Sequence, residues 1–224
     1  MNDMVSERSR LCANAIAACR KRLRSTKISD TTGASLTGGE LLTRALILRR
    51  LLRRSVLTSD DHHVAVLLPP TTAAVVANLA LTFDSRVVVN LNYTLSSAML
   101  NSSIAEAGVG HVLTSRKFLE RVPLELDAEI VLLEDFREAV TRTDKLLCAA
   151  MGFGLPSKLL SRMLGAHRHR SDDVLSIMFT SGTTGDPKGA VLTHNNIESN
   201  VAAVNAVIHL SAHDVVLGIL PFFH

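Results

Sequence analysis

Aromatic side chains are scarce in this sequence: its 224 residues include no tryptophan, one tyrosine (Tyr93) and seven phenylalanines. Proteins that hold single-stranded nucleic acid stack its bases on exposed aromatic rings, so this composition argues against that class. Cysteine is also rare, and the three cysteines cannot complete a disulfide framework, which favours a reducing compartment. The sequence therefore predicts a cytoplasmic protein that does not bind nucleic acid.

Long hydrophobic runs are absent as well. No uninterrupted apolar stretch reaches the roughly 20 residues that a membrane-spanning helix needs, and charged residues interrupt the N-terminal segment where a signal peptide would have its apolar core. Even so, 47% of the residues are hydrophobic and 20% are charged, so the chain can bury a core and is not disordered. We expect a soluble protein, at most peripheral on the inner face of a membrane.

Positive charge is concentrated near the N-terminus. Residues 1–60 carry 12 Lys or Arg against 5 Asp or Glu, whereas the remaining residues carry 12 against 16. The basic residues cluster at 20–24 and 49–54, within segments whose apolar residues have helical spacing. A solvated helix face is one interpretation, and contact with an anionic membrane surface or an acidic carrier protein is the other.

From Asp61 onward, short apolar runs alternate with helical segments. Val-rich and Leu-rich runs stopped by turn residues are typical of buried parallel strands. The pattern predicts strands at 64–68, 86–90, 111–114 and 130–133, and helices at 71–81, from a Thr94 cap to about 107, and at 116–121. Such alternation with short connections predicts an α/β fold, a layered, mostly parallel sheet with flanking helices.

Two further segments are helical by their spacing. Residues 1–35 predict a helix followed by a loop or hairpin, and Thr37 and Glu40 have the form of a capping box that begins the next helix. Residues 137–171 are amphipathic and increasingly basic, which predicts a pair of surface helices or, alternatively, a contact with a membrane or lipid substrate. We divide the chain into an N-terminal helix and loop (1–35) and an α/β domain (36–224).

The chemistry is concentrated in residues 175–194. A predicted strand at 175–179 leads into a loop rich in hydroxyls and glycines, followed by a predicted strand at 190–192 and a helix capped by Asn195 with Glu198 at its third position. Glycines let backbone N–H groups approach an anion, hydroxyls donate hydrogen bonds, and a lysine adds positive charge. We predict that this loop binds the phosphates of a nucleotide through Thr180, Ser181, Gly182, Thr183, Thr184, Gly185, Lys188 and Gly189.

Other phosphate-binding and catalytic patterns do not match. A P-loop has Gly-Lys-Ser/Thr in sequence, whereas Pro187 precedes Lys188 here and Gly189 follows it. No Gly-x-Ser-x-Gly motif supports a hydrolase. The paired histidines at 62–63 and 167–169 lack nearby cysteines or carboxylates at metal-ligand spacing.

The run from Thr180 to Gly189 resembles the phosphate-loop signature of the adenylate-forming (AMP-binding) superfamily, which includes acyl-CoA synthetases, luciferases and peptide-synthetase adenylation domains. The final run Leu220-Pro-Phe-Phe-His224 is similar to the next motif of that family. Finer matches resemble the ligase part of bacterial acyl-carrier-protein synthetase/2-acylglycerophosphoethanolamine acyltransferases; they lie at 91–96, 113–118, 131–136 and 143–145.

The resemblance implies an AMP-forming ligase that joins a fatty acid to a thiol. Such enzymes form an acyl-adenylate and pyrophosphate from the acid and ATP, and then transfer the acyl group to coenzyme A or to the phosphopantetheine of an acyl carrier protein. By the same resemblance, the segment from Thr180 to Lys188 would hold the β- and γ-phosphates, and the Thr180 hydroxyl would help to place Mg²⁺. His224 would be the catalytic residue beside the carboxylate.

Several family segments have no counterpart in residues 1–224: those for the adenine pocket, the Mg²⁺-binding Glu, the ribose-binding Asp, the hinge, and the small domain with the catalytic Lys. We therefore expect a domain truncated after the Pro-Phe-Phe-His motif, which needs a missing C-terminal part and is inactive alone. A strand predicted at 215–220 would then expose apolar side chains. Asp84 also stands where relatives often have Gly. The alternative is an inactive remnant that serves as a membrane- or partner-binding module.

Overall fold

The chain was analysed as a computed structural model, which describes residues 8–180, 187–211 and 213–224. Its strands are β1 (Thr26–Ser29), β2 (Ser35–Thr37), β3 (His63–Val66), β4 (Val87–Asn90), β5 (His111–Thr114), β6 (Glu129–Leu132), β7 (Val174–Thr180) and β8 (Lys188–Thr193). Its α-helices are α1 (Leu11–Lys21), α2 (Gly38–Ser55), α3 (Thr72–Phe83), α4 (Ser97–Ala107), α5 (Arg116–Leu119), α6 (Leu133–Ala139), α7 (Arg142–Ala149), α8 (Ser157–Met163) and α9 (His194–Ile208). A π turn (Ala150–Gly154) and a 3₁₀ turn (Ala166–Arg168) complete them.

Six strands form the main sheet in the order β6-β5-β3-β4-β7-β8. The first five run parallel and β8 is antiparallel to β7. β1 and β2 form a separate antiparallel hairpin, in the segment predicted as a loop or hairpin. The predicted fold class, a mostly parallel sheet with flanking helices, is confirmed.

The sheet is buried on both faces because successive side chains of a strand point to opposite sides. Val64 and Val66 lie in one hydrophobic core with residues of α1, α2 and α3, whereas Ala65 and Leu67 lie in a second core with residues of α4 and Phe118. No helix in the described ranges is long and apolar enough to cross a bilayer.

Of the three predicted helix caps, one is confirmed and two are wrong by two residues. The Thr37–Glu40 capping box forms as predicted. Thr94, however, donates its N–H and hydroxyl to the side chain of Asn92, and Ser96 caps α4 instead. The local turn around Asn92 therefore delays the helix.

The start of α9 shows the opposite error. The predicted cap, Asn195, already lies inside the helix, because Thr193 at the end of β8 is the cap and Asn196 completes a capping box with it. Glu198 plays no capping role and accepts hydrogen bonds from the N-terminal residues Ser9 and Arg10.

The segment 137–171 is more broken, and more deeply packed, than the predicted pair of surface helices. It contains α7, the π turn and α8, which begins after Pro156. These elements pack on α1 and α2, so that Cys148 and Leu160 are fully buried in the first core.

The strand predicted at 215–220 does not form. This stretch pairs with no other described strand and has no regular secondary structure, since an extended segment without a partner gains no ladder hydrogen bonds. Its apolar side chains are exposed as expected; Val215, for example, is 94% exposed.

A buried polar cluster ties the N-terminal residues to α9. The Ser9 hydroxyl donates to Glu198 at 2.6 Å and therefore accepts from Nδ1 of His194 at 2.9 Å. The ring of His169 lies 5.1 Å from that of His194 and is hydrogen-bonded to the hydroxyl of Ser85 at 2.7 Å. Burial lowers the pKa of both histidines, and the nearby His169 lowers the pKa of His194 further.

We expect the histidine pair to make the fold less stable in mild acid. The pKa of each ring is lower in the folded state than the ordinary value of about 6.5, so the unfolded state binds more protons as the pH falls through that value. The free energy of unfolding from urea titrations should therefore decrease between about pH 7.5 and about pH 5.5. The double substitution His169→Asn/His194→Asn should flatten this dependence.

His62→Asn is the matched control, because His62 is exposed. It should leave the pH dependence of the wild type unchanged. An equally steep dependence in the double variant would contradict the assignment to this pair.

Candidate functional site

The candidate site residues lie near one edge of the sheet, where β4 and β7 end. The pairing of β4 with β7 sets Asn90 beside Met178, so the two strands end at the same edge. The chain leaves β4 toward Tyr93 and leaves β7 at Thr180. In open α/β sheets, ligands bind outside these carboxyl ends of the strands.

The β7–β8 hairpin brings three predicted phosphate-binding residues together. Thr180 pairs with Lys188, its hydroxyl donates to the Lys188 carbonyl at 3.4 Å, and both residues are exposed. Gly189 lies opposite Phe179, where a Cβ would come within 3.2 Å of Ile177 and 3.3 Å of the Phe179 ring. A larger residue at 189 would therefore press on the buried side chains of β7.

The predictions for the other loop residues concern positions outside the described residues: Ser181, Gly182, Thr183, Thr184 and Gly185.

The final residues are held near this edge by an aromatic chain. The Phe223 ring lies edge-on against Tyr93 at 5.0 Å between centroids, and Tyr93 packs in the same way on Phe118 at 5.4 Å. Phe223 is 6% exposed, whereas His224 next to it is exposed, with its ring 4.9 Å from that of Phe223. Phe118 lies in the run 113–118 of the family resemblance but was not predicted as part of the site.

Side-chain hydrogen bonds link the elements that lead to the same edge. The side-chain amides of Asn78 on α3 and Asn90 at the end of β4 bond each other reciprocally at 3.0 and 3.2 Å. The Ser176 hydroxyl donates to the carbonyl of Val88 at 2.7 Å across the β4–β7 pair. Since buried polar groups are costly unless paired, these contacts favour one arrangement of the strand ends. None of these polar residues was predicted as part of the site.

The residues present at the hairpin suit a nucleotide phosphate. Lys188 offers a positive charge in solvent and Thr180 a hydroxyl beside it. Within the described ranges, no three His, Cys, Asp or Glu residues gather in a way that would hold a metal ion.

Phe223 should control the ionisation of Tyr93. Burial raises the pKa of Tyr93, and Phe223 covers one side of its ring. Phe223→Ala should therefore lower the pKa of Tyr93 toward the ordinary value of about 10. Tyr93 is the only tyrosine and tryptophan is absent, so ultraviolet absorbance follows this single group.

The exposed Phe153 offers a control without contact to Tyr93, and Phe153→Ala should leave the titration unchanged. A Tyr93 pKa that does not respond to Phe223→Ala would mean that the final residues do not cover Tyr93 in solution.

Among curated proteins, this chain is similar in sequence to acyl-CoA ligases. Long-chain-fatty-acid–CoA ligase 6 of Mus musculus is 29% identical over 168 residues, which are 67% of this chain and 24% of the mouse protein. Acyl-CoA ligase sidI of Beauveria bassiana is 33% identical over 147 residues, 62% of this chain and 24% of the fungal protein. The chain therefore spans about a quarter of the length of these relatives.

Solved structures share the fold. VinN superposes with a TM-score of 0.71 at 21% identity, covering 93% of this chain and 50% of VinN. The fatty acid AMP ligase of Legionella pneumophila superposes with a TM-score of 0.65 at 17% identity, covering 94% of this chain and 35% of that enzyme. Residues 16–224, including both the hairpin and the final aromatic motif, match the family described as AMP-binding enzyme. The chain belongs to the AMP-binding enzyme family.

Proposed function

We propose that this chain is the N-terminal, ATP-binding part of an AMP-forming fatty-acid ligase. The observation that carries the proposal is the convergence of two motifs on one sheet edge. Lys188 and Thr180 lie at the mouth of the β7–β8 hairpin. Phe223, which precedes His224, packs on Tyr93 just beyond the end of the paired strand β4. A nucleotide and a carboxylate would meet at this edge.

The reaction would proceed in two steps. A carboxylate oxygen of the fatty acid attacks the α-phosphorus of ATP, and the bond to the β-phosphate oxygen breaks to release pyrophosphate. The sulfur of a thiol, having lost its proton, then attacks the carbonyl carbon of the acyl-adenylate. AMP leaves, and an acyl thioester is formed.

Each predicted residue has a role in the first step. Lys188 would neutralise charge that develops on the departing pyrophosphate, while Gly189 keeps β8 close to β7 and so fixes the lysine. The Thr180 hydroxyl, with the hydroxyls and backbone of Ser181 to Gly185, would contact the β- and γ-phosphates. Mg²⁺, when bound beside Thr180, would withdraw charge from those phosphates. His224 would lie beside the acid.

The substrate and the acceptor follow from the relatives and the sequence motifs. The names of the curated relatives favour a fatty acid and coenzyme A. The finer sequence matches, which resemble an acyl-carrier-protein synthetase, favour the phosphopantetheine of an acyl carrier protein as the alternative acceptor. Because the match covers 24% of each of those relatives, we propose that activity requires their remaining C-terminal part and that residues 1–224 alone are inactive. A cytoplasmic location and a division at residue 36 belong to the same proposal.

The alternative, an inactive membrane- or partner-binding remnant, gains less from the structure. The arginines at 49–54 do not form a bare basic face, because buried Asp84 and Asp144 pair with them. Co-sedimentation with anionic liposomes tests this alternative directly, and a negative result would discard it.

Lys188→Ala should weaken the binding of MgATP to the 224-residue chain by about 10-fold or more, because a phosphate loses its charged donor. Calorimetry measures the affinity, and Tyr93 fluorescence reports on the same edge. Lys158→Ala is the charge-matched control, since Lys158 is exposed on α8. Equal losses in the two variants, or no binding by the wild type, would contradict the nucleotide assignment.

The reaction itself is tested by carboxylate-dependent ATP–pyrophosphate exchange with a panel of fatty acids. The assay compares the 224-residue chain with a form joined after His224 to the corresponding remainder of a long-chain fatty-acid ligase. Exchange only in the longer form, abolished by Lys188→Ala, is expected. Exchange by the 224-residue chain would contradict the proposal that it is inactive alone. The absence of exchange in both forms, when both are folded, would overturn the ligase proposal.

A further inference from the structure

A second cavity lies away from the nucleotide edge, between α2 and the α7–π-turn segment. Its volume is about 380 Å³, within the range of small-molecule sites. One wall consists of four arginines of α2: Arg49, Arg50, Arg53 and Arg54. The rest of the lining is apolar or sulfur-containing: Leu46, also on α2, and Leu147, Cys148 and Met151 of the α7–π-turn segment. We call this cavity the arginine cleft.

We propose that the arginine cleft binds a phosphate monoester that carries an apolar tail. This site is separate from the proposed nucleotide site and shares no residue with it. The phosphate would lie against the guanidinium groups and the tail against the leucine and methionine wall.

Two buried carboxylates hold the arginines in place. Asp84, with a side chain 3% exposed, accepts from Arg53 Nη1 at 3.1 Å and lies 3.2 Å from Arg49 Nε, whose N–H donates to the Phe83 carbonyl. Asp144, 1% exposed, accepts from Arg50 Nε at 2.7 Å and from Arg54 Nη1 at 3.2 Å. Guanidinium groups fixed in this way lose little further freedom when a ligand binds, which favours affinity.

The carboxylate contacts leave most arginine donors available. A guanidinium has five N–H donors, and the contacts within the described ranges engage a single nitrogen of each of the four arginines. The side chains of Arg50, Arg53 and Arg54 are 45%, 56% and 45% exposed, so a ligand can reach them. Four positive charges face two carboxylates at this wall, which leaves an excess that an anion would neutralise.

Asp144 remains an anion in this arrangement. Hydrogen bonds from the Thr141 hydroxyl and then from Arg50 hold the pKa of its carboxyl well below the ordinary value. The carboxylate therefore stays available to orient Arg50 and Arg54 over the whole range of physiological pH.

The chemistry of the walls selects the ligand class. A phosphate monoester carries a charge of roughly −1.5 to −2 at neutral pH and three terminal oxygens, so it can bridge several guanidinium groups where a carboxylate has only two oxygens. The apolar wall would remain wet around inorganic phosphate, whereas a hydrocarbon tail would cover it. Leu147 is 42% exposed, and the neighbouring Leu146, 74% exposed, extends the apolar surface.

The test measures the binding of decyl phosphate, below its micelle concentration, to the 224-residue chain by calorimetry. We expect saturable one-to-one binding that is about 10-fold or more tighter than that of inorganic phosphate or decanoate. Equal affinities for decyl phosphate and decanoate would overturn the phosphate assignment. Binding to vesicles of anionic phospholipid without binding to monomeric decyl phosphate would overturn the cleft in favour of a membrane surface.

The variant Arg53→Gln/Arg54→Gln should weaken decyl phosphate binding by about 10-fold or more. Asp84 keeps Arg49 and Arg86 as partners and Asp144 keeps Arg50, so the fold should persist, as circular dichroism will verify. Arg44→Gln on the same helix is the control, because Arg44 lines a different cavity. Unchanged affinity in the double variant, or an equal loss in the control, would overturn the proposal.

Leu147→Ser tests the contribution of the apolar tail apart from that of the phosphate. It should lower the affinity for decyl phosphate toward that for inorganic phosphate, and it should leave the weak binding of inorganic phosphate unchanged. Lys188→Ala should not alter decyl phosphate binding, so failure of the arginine cleft is distinguishable from failure of the nucleotide site. Competition between MgATP and decyl phosphate for one site would overturn the separation of the two.

Discussion

The parallel pairing of β4 with β7 joins segments 88 residues apart in sequence, and a buried bond from the Ser176 hydroxyl to the Val88 carbonyl crosses it. The register of this pair decides where the site lies. A shift by one residue would turn Ile177 and Phe179 away from the second hydrophobic core, because strand side chains alternate between faces. Since that core is apolar, the register that places Thr180 at the sheet edge is strongly favoured.

The arginines at 49–54 show that a charge count does not reveal partners that are distant in sequence. A cluster of like charge on a helix predicts a solvated or anion-binding face, yet Asp84 and Asp144 become buried against it only after the chain has folded. A buried carboxylate that lost its arginine partners would be strongly destabilising, so these ion pairs fix how α7 and the turn after α3 dock on α2. The same contacts shape the arginine cleft.

The parts predicted from sequence are those with local causes. Three consecutive valines at 87–89 are enough to indicate a buried strand, and Thr37 and Glu40 satisfy each other within one helical turn. The strand predicted at 215–220 failed because pairing requires a neighbour that local sequence does not supply. The contact between Tyr93 and Phe223 likewise joins rings far apart in the chain, which no local pattern predicts.

Thr180 and Lys188, which flank the proposed phosphate loop, are each anchored by the sheet. On the β7 side, the pairing with β4 fixes Thr180; on the β8 side, close packing of Gly189 on Phe179 positions Lys188. β8 then runs directly into α9, whose first residue, His194, is bonded to Ser9 in the buried polar cluster. A cation and a hydroxyl held in this way need little reorganisation when charge develops on a phosphate, and such preorganisation is the main source of electrostatic catalysis. Ser9 therefore supports the proposed site from a distance, since its bond to His194 holds the far end of the strand that carries Lys188.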